Sequence, residues 1–167
     1  MLVIVIGAGR GRRLMPTTTD APKCFAQVAG KRLLDWAIEA FAANGLDRVC
    51  FIGGYKIEKV KADYPAFTFR QNPEWETTNI LASLFCAADV MDEGFICCYS
   101  DVLFTPDIVA RLASSPADMA LGVDTGWLER YEHRSDHPPD DAEKVTVANG
   151  DVTRVDRRIP ERDAYGE

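Results

Sequence analysis

The sequence opens with too little apolar length to cross a membrane. Residues 1–6 are apolar, and the polar, glycine-rich segment 7–13 comes directly after them. A basic leader and a small-residue cleavage site are also lacking. The first residue therefore reads as the start of the mature chain, and the expected location is the cytoplasm. The five cysteines (Cys24, Cys50, Cys86, Cys97 and Cys98) are odd in number and never spaced as Cys-x-x-Cys. Most sit in apolar runs, so buried, reduced thiols are expected. Histidine is scarcer still. His133 and His137 lie four apart, a spacing that on a helix would suit a metal. Pro138-Pro139 and charged neighbours argue instead for a loop, and a zinc site is not expected. Basic residues are outnumbered, 19 Lys and Arg against 26 Asp and Glu, for a net charge of −7. That balance argues against a nucleic-acid groove, which needs a basic face. A small anionic ligand stays open, because a few local cations and a metal can outweigh the global sign.

What is present is ordinary globular material. The 167 residues are 47% hydrophobic and 27% charged, which suits a single domain over residues 1–167 with a sizeable core. No internal repeat, low-complexity stretch or linker is visible. Residues 2–6 form a continuous aliphatic run closed by glycine, the pattern of a buried strand in a parallel sheet. Residues 33–43 carry Leu33, Leu34, Ala37, Ile38, Phe41 and Ala42 at helical spacing, and Asn44-Gly45 stops that helix. Further strands are expected at 48–52, 67–71, 94–99 and 119–123, the one at 94–99 buried. A short helix is expected at 56–63. Residues 79–91 read as one helix with Ile80, Leu81, Leu84, Phe85, Ala87 and Ala88 on one face. Thr105 and Pro106 begin another helix, to about residue 113. Residues 127–141 read as an ordered excursion outside the core. Residues 144–148 and 152–155 form a hairpin around Asn149-Gly150. Alternating strands and helices predict a three-layer α/β/α sandwich with a mostly parallel sheet. Ligands of such sheets sit beyond the carboxyl ends of the strands. Residues 7–16, Gly53-Gly54, residues 72–79 and Asp101 all fall at that edge.

The segment Gly7-Ala8-Gly9-Arg10-Gly11-Arg12-Arg13 is not a dinucleotide fingerprint, because Arg12 stands where the third glycine is needed and Pro16 and Pro22 break up the stretch where a helix would have to begin. Nor is it a Walker loop, since no Gly-Lys-Ser/Thr is present. What remains is a flexible loop whose backbone N–H groups can turn around phosphates beside Arg10, Arg12 and Arg13. The competing reading is a surface loop with solvated arginines. Lys23, set by Pro22, can return to the same phosphates as a point charge. Asp101 falls at the carboxyl end of a strand, where it could also begin a turn or cap the next helix, and Asp124 is similarly placed. Trp127 and Tyr131, with Trp75, could cage a quaternary ammonium group by cation–π attraction or simply pack a loop. Glu143 and Lys144 could contact an acceptor or form an exposed strand pair.

The order Gly9-x-Gly11-x-Arg13-Leu14-x-Pro16, Thr17-Thr18, Pro22-Lys23 and Val28-x-Gly30-Lys31-x-Leu33-Leu34 resembles the signature of the sugar-phosphate nucleotidyltransferases. Asn72-Pro73-x-Trp75, Thr78-Asn79-Ile80 with Ser83-Leu84, Ser100-Asp101-Val102 and Ala142-Glu143-Lys144-Val145 are similar to a narrower branch, the phosphocholine and 2-aminoethylphosphonate cytidylyltransferases. The resemblance covers nearly the whole chain. It implies a nucleotide-diphospho-sugar transferase-like fold and transfer of a nucleoside monophosphate to a small phosphorylated or phosphonylated acceptor, with release of pyrophosphate. CMP from CTP is the expected donor group. By the same resemblance, Arg13 and Lys23 neutralise the triphosphate, Asp101 holds Mg²⁺, and Ala8, Gly9 and Gly11 give backbone donors. Asn72 and Asn79 lie near the base, and Trp127, Tyr131, Glu143 and Lys144 are acceptor candidates. The implied partners are a nucleoside triphosphate and the acceptor, with no nucleic acid and no membrane; homo-oligomerisation is left open. The family pattern continues past Glu167, where a second acidic ligand generally lies, so a C-terminally truncated chain is expected. Uridylyl or thymidylyl transfer to a sugar 1-phosphate, and a nucleotide-binding module without turnover, are the alternatives.

Overall fold

A computed structural model describes residues 1–132 and 138–167. The first strand, β1 (Leu2–Gly7), is buried almost end to end, as its unbroken aliphatic run demands. Two short strands, β2 (Gln27–Val28) and β3 (Lys31–Arg32), pair antiparallel around Ala29-Gly30 and lead into helix α1 (Leu33–Ala42). Next come β4 (Val49–Gly53), α2 (Ile57–Asp63), β5 (Thr68–Gln71) and α3 (Ile80–Phe85). Strand β6 (Phe95–Tyr99) and helix α4 (Pro106–Ala113) complete this part of the chain.

The main sheet has the order β5-β4-β1-β6 with every pair parallel. Its register aligns Gly7 with Gly53, Gly53 with Gln71, and Ile6 with Tyr99, so four strands end at one edge. Alternate side chains of β1 face opposite ways. Val3 and Val5 pack with Phe51, Leu34, Ala37, Phe41, Val60 and Val109, under α1, α2 and α4. Leu2, Ile4 and Ile6 pack with Cys50, Ile52, Ala87 and Leu84, on the side of α3. Helices on both faces of a parallel sheet make the expected three-layer α/β/α arrangement.

Several local expectations are corrected. Residues 79–91 do not form one helix: α3 ends at Phe85, and a separate 3₁₀ turn covers Ala88–Val90. Its apolar residues do not share one buried face either. Leu84 and Ala87 pack against the sheet, while Ile80, Leu81 and Phe85 are exposed. Strand β6 is not buried throughout. It lies at an edge of the sheet, and Cys97 and Tyr99 are exposed. Thr105 takes the cap position of α4 in extended backbone, but its hydroxyl bonds the Asp107 carboxylate and no backbone N–H. The thiols are free, and Cys97 is exposed where burial was expected.

Two compact units divide the chain, Met1–Pro116 and Ala117–Glu167. In the second, residues 119–123 form no strand, and Met119 is 90% exposed. Helix α5 (Trp127–Tyr131) falls where an excursion outside the core was expected, yet Trp127, Tyr131 and Ala142 are this unit's buried cluster. The hairpin of β7 (Val145–Ala148) and β8 (Asp151–Val155) turns at Asn149-Gly150 as expected. His133 and His137 lie outside the described residues. No helix among the described residues is long and apolar enough to cross a membrane.

Phe41 is one of two phenylalanines buried in the core under α1, 1% exposed with its ring 5.2 Å from Phe104. Phe41→Ala should cost about 3–5 kcal/mol in urea unfolding, since the cavity left between α1 and α4 cannot fully collapse. A loss under about 1 kcal/mol would show that this packing is not the core of the unit.

Candidate nucleotide site at the carboxyl edge of the sheet

The first loop leaves β1 at Gly7 and stays close to the sheet for one residue. Ala8 is buried, and its carbonyl accepts the backbone N–H of Tyr55 at 2.9 Å. Gly9 then stands in open space. Gly11 adopts left-handed backbone with φ +67°, and a Cβ there would press on the Lys23 side chain at 3.0–3.1 Å. Glycine thus meets two demands at once, an unfavourable φ for other residues and close approach of the lysine stem. A 3₁₀ turn over Arg12–Leu14 comes next, with Arg12 and Arg13 exposed beside the loop. Thr18, fully buried, ties this excursion back by donating from Oγ1 to the Gly11 carbonyl at 2.9 Å.

Lys23 opens the next 3₁₀ turn, Lys23–Phe25, directly after Pro22. Its Nζ pairs with the carboxylate of Asp101, 78 residues away in sequence. Asp101 is delivered there by the sheet. The Ser100 N–H extends the β1–β6 ladder to the Ile6 carbonyl at 3.0 Å, and Ser100 packs against Gly7. The structure therefore brings the glycine loop, Lys23 and Asp101 together. Cys24 beside Lys23 is no nucleophile at neutral pH: burial pushes its thiol up to about 12.

Residues 72–79 form the third loop at this edge. Asn72 is buried, and its side chain is fully engaged. Nδ2 donates to Thr78 Oγ1 and to Ser83 Oγ, each at 2.9 Å, and Oδ1 accepts the Glu74 N–H at 2.9 Å. Asn79 is exposed, and its Oδ1 caps α3 by accepting the Ala82 N–H at 3.0 Å. Trp75 lies on Gly54, where an added Cβ would meet the indole at 2.5 Å and the Ala8 carbonyl at 2.7 Å. The Tyr55 ring contacts the Trp75 ring edge-on at 5.6 Å. Sequence reasoning found Gly53-Gly54 and quoted Thr18, Thr78 and Ser83 only as motif residues without their roles; it missed Tyr55. The signal for Tyr55 is tertiary: its hydroxyl bonds carbonyls remote in sequence, which no local periodicity reports.

The remaining candidates belong to the second unit. Trp127 and Tyr131 are 4% and 5% exposed, with rings 5.6 Å apart in its core. Lys144 is buried and donates to the Pro139 carbonyl at 3.1 Å, while Glu143 is exposed and pairs with Arg157 at 3.0 Å. The carboxylate of Asp124 accepts from Arg130 at 2.5 and 2.8 Å and from the Gly126 N–H. The Arg130 hydrogen bonds hold that carboxyl below the usual carboxylate range. Among the described residues no group of three or more His, Cys, Asp or Glu side chains could hold a metal by itself.

Comparison with known proteins settles what kind of domain this is. The sequence model of the MobA-like NTP transferase domain matches residues 3–127. The chain belongs to that family. It is 31% identical to the CTP:phosphoglutamine cytidylyltransferase of Campylobacter jejuni over 100% of its own length and 68% of that protein. It is 32% identical to the 2-aminoethylphosphonate cytidylyltransferase of Lancefieldella rimae over 56% of the chain and 40% of the relative. Among solved structures, the inositol-1-phosphate CTP transferase from T. maritima superposes with a TM-score of 0.76 at 26% identity, over 99% of this chain and 68% of that one. The domain is thus a nucleotidyltransferase of the nucleotide-diphospho-sugar transferase-like fold, and it spans about two-thirds of the length of the first of these relatives.

Because both polar atoms of its carboxamide are bonded inside the protein, in three hydrogen bonds, Asn72 supports the loop. Asn72→Ala should lower unfolding stability by about 1–3 kcal/mol, the cost of losing its hydrogen bonds to Thr78, Ser83 and the Glu74 N–H. A change within about 0.5 kcal/mol in chemical denaturation would contradict that role.

Proposed function

We propose that this chain transfers CMP from CTP to a small phosphorylated or phosphonylated acceptor and releases pyrophosphate. The observation that carries this reading is the meeting of the glycine loop, Lys23 and Asp101 at the carboxyl ends of parallel strands. The named activities of the related cytidylyltransferases support the choice of CTP and of a phospho or phosphono acceptor.

In this reading the triphosphate lies along the first loop. Backbone N–H groups of Ala8, Gly9 and Gly11 face its oxygens, and Arg13 and Lys23 offset its charge. An acceptor oxygen attacks the α-phosphorus, the bond from that phosphorus to the bridging oxygen breaks, and pyrophosphate departs with the bonding electrons. Such a displacement needs positioning and charge neutralisation more than a general base. Asp101 fits Mg²⁺ held jointly with the nucleotide: a hard cation that keeps waters and phosphate oxygens can be recruited by a single carboxylate. Bound there, Mg²⁺ would offset charge on the triphosphate and the leaving pyrophosphate. Lys23 then gives up Asp101 and turns to phosphate, an exchange open to a partly exposed ion pair. Asn79 lies near the base, its Nδ2 side turned from the α3 cap, and Asn72 holds the loop that presents it. Glu143 is the candidate contact for a positively charged acceptor group, and Lys144, Trp127 and Tyr131 hold the structure around it in their unit.

The test is Mg²⁺-dependent pyrophosphate release with CTP, UTP, ATP and GTP against phosphocholine, 2-aminoethylphosphonate and glucose 1-phosphate. CTP with a phospho- or phosphonoamine should turn over. Lys23→Ala and Asp101→Ala should each lose roughly 100-fold or more, the scale of removing a charge that acts on the transition state. Turnover with UTP and glucose 1-phosphate would replace the acceptor class. CTP binding without release under any pairing would make the chain a binding module.

A further inference from the structure

Tyr55 touches the first loop and, through Trp75, the loop at residues 72–79, and none of the roles assigned above uses it. Its backbone N–H donates to the Ala8 carbonyl at 2.9 Å, at the start of the first loop. Its hydroxyl reaches the far end of the same loop, 2.5 Å from the Thr19 carbonyl and 3.2 Å from that of Thr18. One residue therefore holds both ends of the excursion between Ala8 and Thr19. Thr18 extends the hold by its Oγ1 bond to the Gly11 carbonyl, at the turn that lies against Lys23. The faces and edges of the Tyr55 ring are also occupied. The Arg10 guanidinium stands 5.4 Å from its centroid, Lys56 Nζ 5.8 Å, and the Trp75 ring 5.6 Å. Lys56 in turn reaches Asp20 at 3.8 Å, just past the same loop.

The geometry points to Tyr55 as the positioning residue that orders the phosphate loop before nucleotide arrives. Gly9 and Gly11 leave the first part of the loop conformationally free, and Arg12 and Arg13 are exposed. A flexible loop that must be ordered by its ligand subtracts that ordering from affinity. Tyr55 removes much of the freedom in advance, by closing the loop at both ends and by stacking Arg10 over its ring. The hydroxyl and the ring do separable work. Tyr55→Phe removes the one O–H bond shared by the Thr18 and Thr19 carbonyls and keeps the contacts with Arg10 and Trp75. Thr18→Val breaks the same line one step further on, at Gly11.

This inference rests on the nucleotide reading for its purpose but not for its geometry, so the experiment has two arms. The first needs no nucleotide. Trypsin cleavage after Arg10, Arg12 and Arg13 is monitored by mass spectrometry in the wild type, Tyr55→Phe and Thr18→Val, with thermal unfolding alongside. The second measures CTP binding by calorimetry on the same proteins, and KM for CTP against kcat where turnover is present. Both variants should be cut several-fold faster at those arginines and bind CTP roughly 3- to 10-fold more weakly, as expected for one lost hydrogen bond. KM for CTP should rise with kcat and acceptor KM little changed, and the double variant should lose less than the product of the two. Unchanged cleavage in both variants would overturn the clamp. Faster cleavage with unchanged CTP affinity would overturn its role in nucleotide binding. If the wild type binds no CTP, the functional reading fails, and the cleavage arm still decides whether Tyr55 orders the loop.

Discussion

The ion pair between Lys23 and Asp101 is the contact on which the site depends, because it joins two segments that no local structure would bring together. Each partner arrives by a different physical route. Asp101 is placed by the register of β6 on β1, extended one residue further by the Ser100 N–H. Lys23 is placed by Pro22 and by the space that Gly11 leaves for its stem. Both groups keep about a third of their side-chain surface or less in solvent. That is enough exposure to exchange partners and enough burial for the exchange to matter. A chain of net charge −7 thus gathers Arg10, Arg12, Arg13 and Lys23 around one loop, and one of its many carboxylates balances the lysine.

Around that pair, the protein separates rigid from adaptable parts. The four-stranded parallel sheet is fully packed on both faces in its centre, and its strands end in step. The loops that leave this edge are tied by few bonds each, and the ties are specific. Asn72 spends every polar atom of its carboxamide on Glu74, Thr78 and Ser83. Gly54 admits Trp75 against the backbone of the first loop. A polar side chain that is saturated within the protein stabilises a loop, whereas one with a spare donor, such as Asn79 at the α3 cap, can still address a ligand.

Much of this was legible in the residues. The aliphatic run of β1, the helical spacing of α1 and the glycines that close β1 and β4 each have a local cause, and each falls where that cause puts it. The glycine loop, Lys23 and Asp101 were legible as a pattern of types and spacings, helped by resemblance to the nucleotidyltransferases. What failed was neighbourhood. Cys97 and Tyr99 carry a buried-strand pattern, yet β6 lies at an edge of the sheet. Residues 80–85 keep a helical period while only part of the apolar face meets the sheet. Trp127 and Tyr131 sit in a polar segment, and only tertiary packing with Ala142 makes them a core. Tyr55 was overlooked because its partners at Ala8, Thr18 and Thr19 are backbone carbonyls, which carry no mark in a sequence.

The central claim is that Lys23 is a phosphate ligand held by Asp101 until nucleotide arrives. Calorimetric titration of CTP without divalent metal into the wild type, Asp101→Ala and Lys23→Ala tests it most directly. Releasing the lysine in Asp101→Ala should tighten metal-free CTP binding several-fold, and Lys23→Ala should weaken it. Equal affinities in all three proteins, or weaker binding by Asp101→Ala, would contradict the account.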